Sequence, residues 1–152
     1  TLGTDMSDFQ ADISAFVKKA KGNTDKVVRK IILDVGTRIV LRSPVGDAKY
    51  WKGKPPKGYV GGRFRGNWQY GFGVIPTGEL PNIDKNGSST IGKLASGVLA
   101  SPVAGLHYLV NNLPYAKRIE EGWSHRQAPQ GVVGLTILEF KAIVEKAAAN
   151  VN

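Results

Sequence analysis

The spacing of apolar residues changes several times along the chain, and each change marks an element. Phe9, Ile13, Phe16, Val17 and Ala20 keep the three-and-four spacing of one helical stripe, predicting a helix over Ser7 to Lys21 that Gly22-Asn23 ends. A second helix, capped by Asn23 or Thr24, runs to about Arg42. It turns Val27, Val28, Ile31, Ile32, Val35 and Ile39 inward and Lys26, Arg29, Lys30 and Arg38 to water. Pro44 disfavours helix at Ser43 and stops it. Residues 44 to 62 have no period and read as a loop. In RFRGNWQYGFGVI the period becomes two: Phe64, Trp68, Tyr70, Phe72 and Val74 share one face of a half-buried strand, with bends at Gly66, Gly71 and Gly73.

Pro76 to Ser89 is turn-rich. Thr90 to Leu99 reads as a short helix on Ile91, Leu94, Ala95, Val98 and Leu99, and Gly105 to Asn111 as a second strand. Pro114 opens a helix over Tyr115 to Glu121, which Gly122 closes as a left-handed cap. The last helix spans Val132 to Ala149, with Val133, Ile137, Phe140, Val144 and Ala147 or Ala148 inward. This order predicts one α+β domain over residues 1–152: a small, mainly antiparallel twisted sheet packed against N-terminal and C-terminal helices.

A chain of 152 residues can bury about 68–70% of its unfolded surface, enough for a core without staples. There is no Cys, which excludes disulfides, thiol nucleophiles and thiolate metal sites. The opening residues carry acids where an export signal carries cations, and no apolar run is long enough to span a bilayer; the expectation is a soluble, intracellular chain.

Charge adds a second theme. The net charge is +9, concentrated in Arg42, Lys49, Lys52, Lys54, Lys57, Arg63 and Arg65, with only Asp47 opposing them in that stretch. Such a patch attracts phosphates or an acidic protein surface, or is simply a solvated loop. Its Tyr50, Trp51 and Tyr59 can stack on bases or pin the loop to its own domain.

Candidate chemistry mostly dissolves on inspection. Gly87 to Leu94 approaches a phosphate-binding loop, but Leu94 stands where a magnesium-binding hydroxyl belongs. Gly71-Phe-Gly73 starts a dinucleotide fingerprint that Pro76 spoils. Glu120 and Glu121, adjacent on a helix, project about 100° apart and cannot converge on one atom; Lys117 pairs naturally with them. His107 suits a structural place in its strand, and His125 beside Ser124 lacks the third group a triad needs. Two histidines without Cys make a poor metal set. The expectation is no enzyme, no cofactor and no metal.

What remains is a surface. Trp123 follows a capping glycine, so its ring sits on a turn with Arg118, Glu120, Glu121 and Arg126 around it. Aromatic residues and Arg anchor protein interfaces, and flanking charges set register.

These segments, taken in order, resemble a known family. Two N-terminal helices lead to Ser43-Pro44-Val45, then to Gly62-Arg63-Phe64-Arg65-Gly66-Asn67-Trp68. Pro114-Tyr115-Ala116, Ile119-Glu120-Glu121-Gly122, the Gln127-Ala128-Pro129 turn and a final helix follow. Over roughly residues 8 to 148 this is similar to the tail-completion, tail-terminator or neck proteins of long-tailed bacteriophages. In that family a P-V-D-T-G-x-L/F-R segment leads into a strand, and a Y-A-x-x-[IVL]-E-x-G helix precedes a proline turn. The chain departs from the pattern by inserting Gly46 to Gly61, the basic aromatic loop within residues 45–62.

The resemblance implies a non-enzymatic virion protein assembled in the host cytoplasm. Six copies would form a ring that caps the tail tube and joins it to the head–tail connector or stopper protein. A ring needs two different complementary patches per subunit. The candidates are the Tyr115–Gln127 turn (Tyr115, Arg118, Glu120, Glu121, Trp123, Arg126) and the start of the strand (Arg63, Phe64, Arg65, Trp68). Lys49, Lys52, Lys54 and Lys57 would face channel DNA or an acidic neighbour. The competing reading is a basic nucleic-acid-binding domain using Lys49 to Arg65.

Overall fold

A computed structural model describes residues 24–46, 48–50, 52–125 and 127–149. The helix expected over Ser7–Lys21 lies outside them, as do Asp47, Trp51 and Arg126. The first described helix, α1 (Thr24–Arg42), buries Val27, Ile31, Gly36, Ile39 and Val40, which lie along one face. Asp25 in its first turn and Arg42 in its last suit the helix dipole. Its end is tied off locally: the Ser43 N–H donates to the Ile39 and Val40 carbonyls, and the Ser43 hydroxyl donates to Ile39 O at 2.8 Å.

Strand β1 (Trp68–Phe72) pairs antiparallel with β2 (His107–Asn111), Trp68 opposite Asn111 and Phe72 opposite His107. The period-two run is shortened at both ends. Arg65–Asn67 forms a single 3-10 turn, and Gly73, at φ 72°, turns the chain so that Val74 is 74% exposed. Between the strands lies α2 (Ser88–Ala100), with Thr90, Leu94 and Val98 buried. Leu99, expected inward, is exposed because it sits one residue beyond the Leu94–Val98 stripe.

Glycines set two close approaches. A Cβ at Gly36 would strike the Leu94 side chain where α1 crosses α2, and one at Gly97 would sit 2.5 Å from the Tyr70 ring. Tyr70 can therefore reach His107: its hydroxyl lies 2.6 Å from His107 Nδ1, while His107 Nε2 lies 2.9 Å from Val103 O. A carbonyl only accepts, so Nε2 carries the proton and Nδ1 accepts from the phenol. The sheet's opposite face is covered by the chain that follows β1. Gln69 donates to Gly78 O, and Asn112 donates to the Pro76 and Gly78 carbonyls.

The helix expected over Val132–Ala149 is two: α4 (Val133–Leu138) and α5 (Phe140–Ala149), after the short α3 (Ala116–Glu120). The break falls at Glu139, whose carboxylate accepts Arg42 Nη2 at 2.7 Å and pairs with Arg38 at 3.3 Å. The tie to α1 is tertiary, and no period in the sequence announces it. One core cluster gathers Ile39, Val40, Phe64, Trp68, Leu113, Ile119, Ala128 and Val132; a second gathers Val27, Ile31, Phe140, Val144 and Ala147. Val35 touches both. The result is a small α+β fold.

Candidate interaction surface

The start of β1 is a structural node, which corrects its assignment as a docking patch. Phe64 and Trp68 are only 6% and 8% exposed and meet edge to face at 5.8 Å. The Trp68 indole N–H donates to the Ser43 hydroxyl at 2.7 Å, joining β1 to the end of α1. Arg65 is consumed too: its guanidinium donates to the carbonyls of Leu41, Ser43 and Lys85, closing the carboxyl end of α1. Asn67, fully buried, donates to Arg63 O and Leu80 O and accepts the Leu80 N–H. Of the four proposed residues Arg63 is exposed, paired with Glu79 at 2.8 Å, and Arg65 is half-buried.

The near-match to a phosphate loop has its own anion. Gly87, at φ 82°, precedes α2, and Asp84 is buried behind it. The Asp84 carboxylate accepts Gly87 N–H at 3.2 Å, Thr90 N–H at 2.8 Å and the Thr90 hydroxyl at 2.7 Å. Burial alone would raise its pKa; the Thr90 and Gly87 hydrogen bonds and the Arg65 charge outweigh that and hold it below the usual carboxylate range. The chain's own side chain fills the place where a phosphate would sit.

The Tyr115–Gly131 segment is built around α3. Ile119 is buried, and the helix ends in two reciprocal bonds: Gly122 N–H to Ile119 O and Trp123 N–H to Arg118 O, both 3.0 Å. With Gly122 at φ 87°, this is a Schellman cap. The side-chain contact that usually accompanies such a cap is here a cation over a ring, with the Arg118 guanidinium 5.6 Å from the Trp123 centroid. The loop beyond is pinned by buried Ala128, whose N–H donates to Ser124 O, and by Gln127, which accepts Val45 N–H at 2.6 Å.

Glu120 is likewise reassigned. Its carboxylate accepts the N–H groups of Val132, Val133 and Gly134 at 2.8–3.0 Å, capping α4 from across the loop. Glu121 turns outward, 3.9 Å from Lys117. The two carboxylates diverge because one is needed at a helix start and the other is not. Tyr115 is half-buried against Phe64, and burial raises its phenol pKa.

What stays available is compact. Trp123 is 61% exposed and, with Arg118, Glu121, Gly122 and His125, lines a shallow concavity of about 240 Å³. His125 and Gly122 belong to this surface although the sequence marked neither as an anchor; the left-handed glycine was the signal that could have grouped them. The arrangement offers an aromatic face and a paired cation, suited to recognition. Replacing Gly122 by Ala is expected to cost about 1–3 kcal/mol by urea unfolding. The left-handed φ is strained for Ala, and the new Cβ would lie 2.5 Å from Pro129 O.

The basic loop separates by residue type. Arg42, Arg63 and Arg65 are bonded internally, while Lys49, Lys52, Lys54 and Lys57 are all exposed. Tyr59 donates to Gly46 O and Gly62 N–H to Val45 O, closing the loop at its base. Among the described residues no group of three or more His, Cys, Asp or Glu is placed to hold a metal ion, and no helix is long and apolar enough to cross a membrane. No protein-family model, no curated protein and no solved structure matches this chain.

Proposed function

We propose that the chain is a non-enzymatic structural subunit of a phage neck, assembling as a ring that caps the tail tube and meets the head connector. The observation that carries this reading is Trp123. A large ring is held open to solvent on a turn fixed by a Schellman cap, a buried Ala128 and the Glu120 cap. Leaving an indole exposed forgoes the free energy of covering it, on the order of 25 cal/mol per Å² of apolar surface, and rigidity lowers the entropy lost when a partner covers it. Of the motif residues that suggested the family, Ile119, Glu120 and Gly122 build this scaffold, and Trp68 shares a core cluster with Ile119 and Ala128.

Trp123→Ala tests the reading directly. Its effect on unfolding should stay within about 0.5 kcal/mol, since the ring lies outside the core. The same change should abolish ring formation, read by light scattering of the subunit on tail-tube ends, and leave particles headless by microscopy. A variant that completes tails normally would remove Trp123 from the interface. A chain that forms no ring on tail-tube ends yet binds free duplex tightly would overturn the ring reading in favour of a nucleic-acid-binding domain.

A further inference from the structure

We infer that residues 52–57 of the basic loop are a DNA-backbone contact, in which Lys52, Lys54 and Lys57 neutralise phosphates without reading sequence. This deepens the ring reading by naming what the loop meets. The structure divides the seven cations of Arg42–Arg65 by role. Every arginine of the segment has a partner within the fold: Arg42 has Thr136 and Glu139, Arg63 has Glu79, and Arg65 has three carbonyls. Lys52, Lys54 and Lys57 are exposed and have no acid partner among the described residues. They fall within six residues of one another on an excursion whose ends are bonded together through Val45 and Gly62.

Chemistry then chooses between a polyanionic nucleic acid and an acidic protein. Protein interfaces are depleted of Lys and favour Arg and aromatic rings, the set found instead around Trp123. Lys is a hydrated point charge on a flexible stem, suited to phosphates whose positions vary along a duplex. Base stacking is not served by Tyr59, whose hydroxyl is tied to Gly46 O in the loop's own neck. Contact with the backbone of double-stranded DNA is what remains, driven by counterion release.

The test is fluorescence anisotropy of the full chain with a labelled mixed-sequence duplex over a salt series, with poly-L-glutamate as a second arm. Each phosphate contact contributes about −0.9 to the slope of log K against log salt, so three contribute about −2.7. About a fourfold rise in salt should weaken wild-type binding about 40-fold through these lysines alone. The combined variant Lys52→Gln, Lys54→Gln and Lys57→Gln should lose that share of the slope with unchanged thermal unfolding. Two duplexes of different sequence should bind alike. An unaltered slope in the variant would overturn the inference, as would loop-dependent binding to polyglutamate but not to duplex, which would make an acidic protein the partner. Association is read separately by light scattering, so a failed ring with the slope change intact sinks only the ring.

Discussion

Trp68→Ala should cost about 3–5 kcal/mol in urea unfolding, more than any surface replacement in this chain. The side chain is 8% exposed and lies where the end of α1, the start of β1 and the turn before α4 converge. Removing it leaves a cavity among Ile39, Val40, Phe64, Leu113, Ile119 and Val132, and strips the Ser43 hydroxyl of its donor. With total stabilities of domains this size on the order of 5–15 kcal/mol, a substantial fraction would be lost. Trp68→Phe separates the two contributions. It keeps most of the packing and removes the N–H, for about 1 kcal/mol. Combined with Ser43→Ala, the two losses should be strongly non-additive, since they share one bond; strict additivity would show that the indole–hydroxyl contact does not hold these elements together.

Asp84→Ala should cost about 2–4 kcal/mol, because three donors at the start of α2 lose their acceptor in a buried site. The same carboxylate makes stability depend on pH with a definite sign. Its folded pKa lies below the unfolded value of about 3.9, so its stabilisation is fully present above the unfolded pKa. As pH falls the unfolded chain binds the proton first, and the contribution is lost as pH drops through the folded pKa. Urea midpoints from about pH 6 to about pH 2 should fall more steeply for the native chain than for Asp84→Asn, which cannot take up that proton. Parallel curves would show that Asp84 is not held ionised by the α2 start.

Helix α1 was legible in the sequence, because Val27, Ile31, Val35 and Ile39 repeat at four and a proline follows. Helix α2, strand β2 and the left-handed Gly122 were legible for equally local reasons. The break at Glu139 was not, since no glycine or proline marks it, and the pairing of its side chain with Arg38 and Arg42 joins residues far apart in the chain. The surface was half legible. Trp123 was expected exposed, because a ring after a capping glycine has no stripe to join. Phe64 and Trp68 are buried, and Arg65 and Glu120 are half-buried and bonded within the fold. The sequence does not show this for one reason: aromatic and charged residues in a motif look alike whether their partners are outside or inside. Nothing in the order of residues shows that Ser43 waits for the Trp68 indole, or that α4 waits for Glu120.

The α+β class, the cap at Gly122, the lack of thiol chemistry and the location of the excess charge were all written in the order of residues. Those depend on periodicity, backbone conformation and composition, which are properties of neighbours along the chain. Which cations are tied into the fold and which face solvent depended on how the segments meet. Arg42, Arg63 and Arg65 find carbonyls and carboxylates only when distant parts of the chain come together. Lys52, Lys54 and Lys57, on a loop closed at its base, are left facing water.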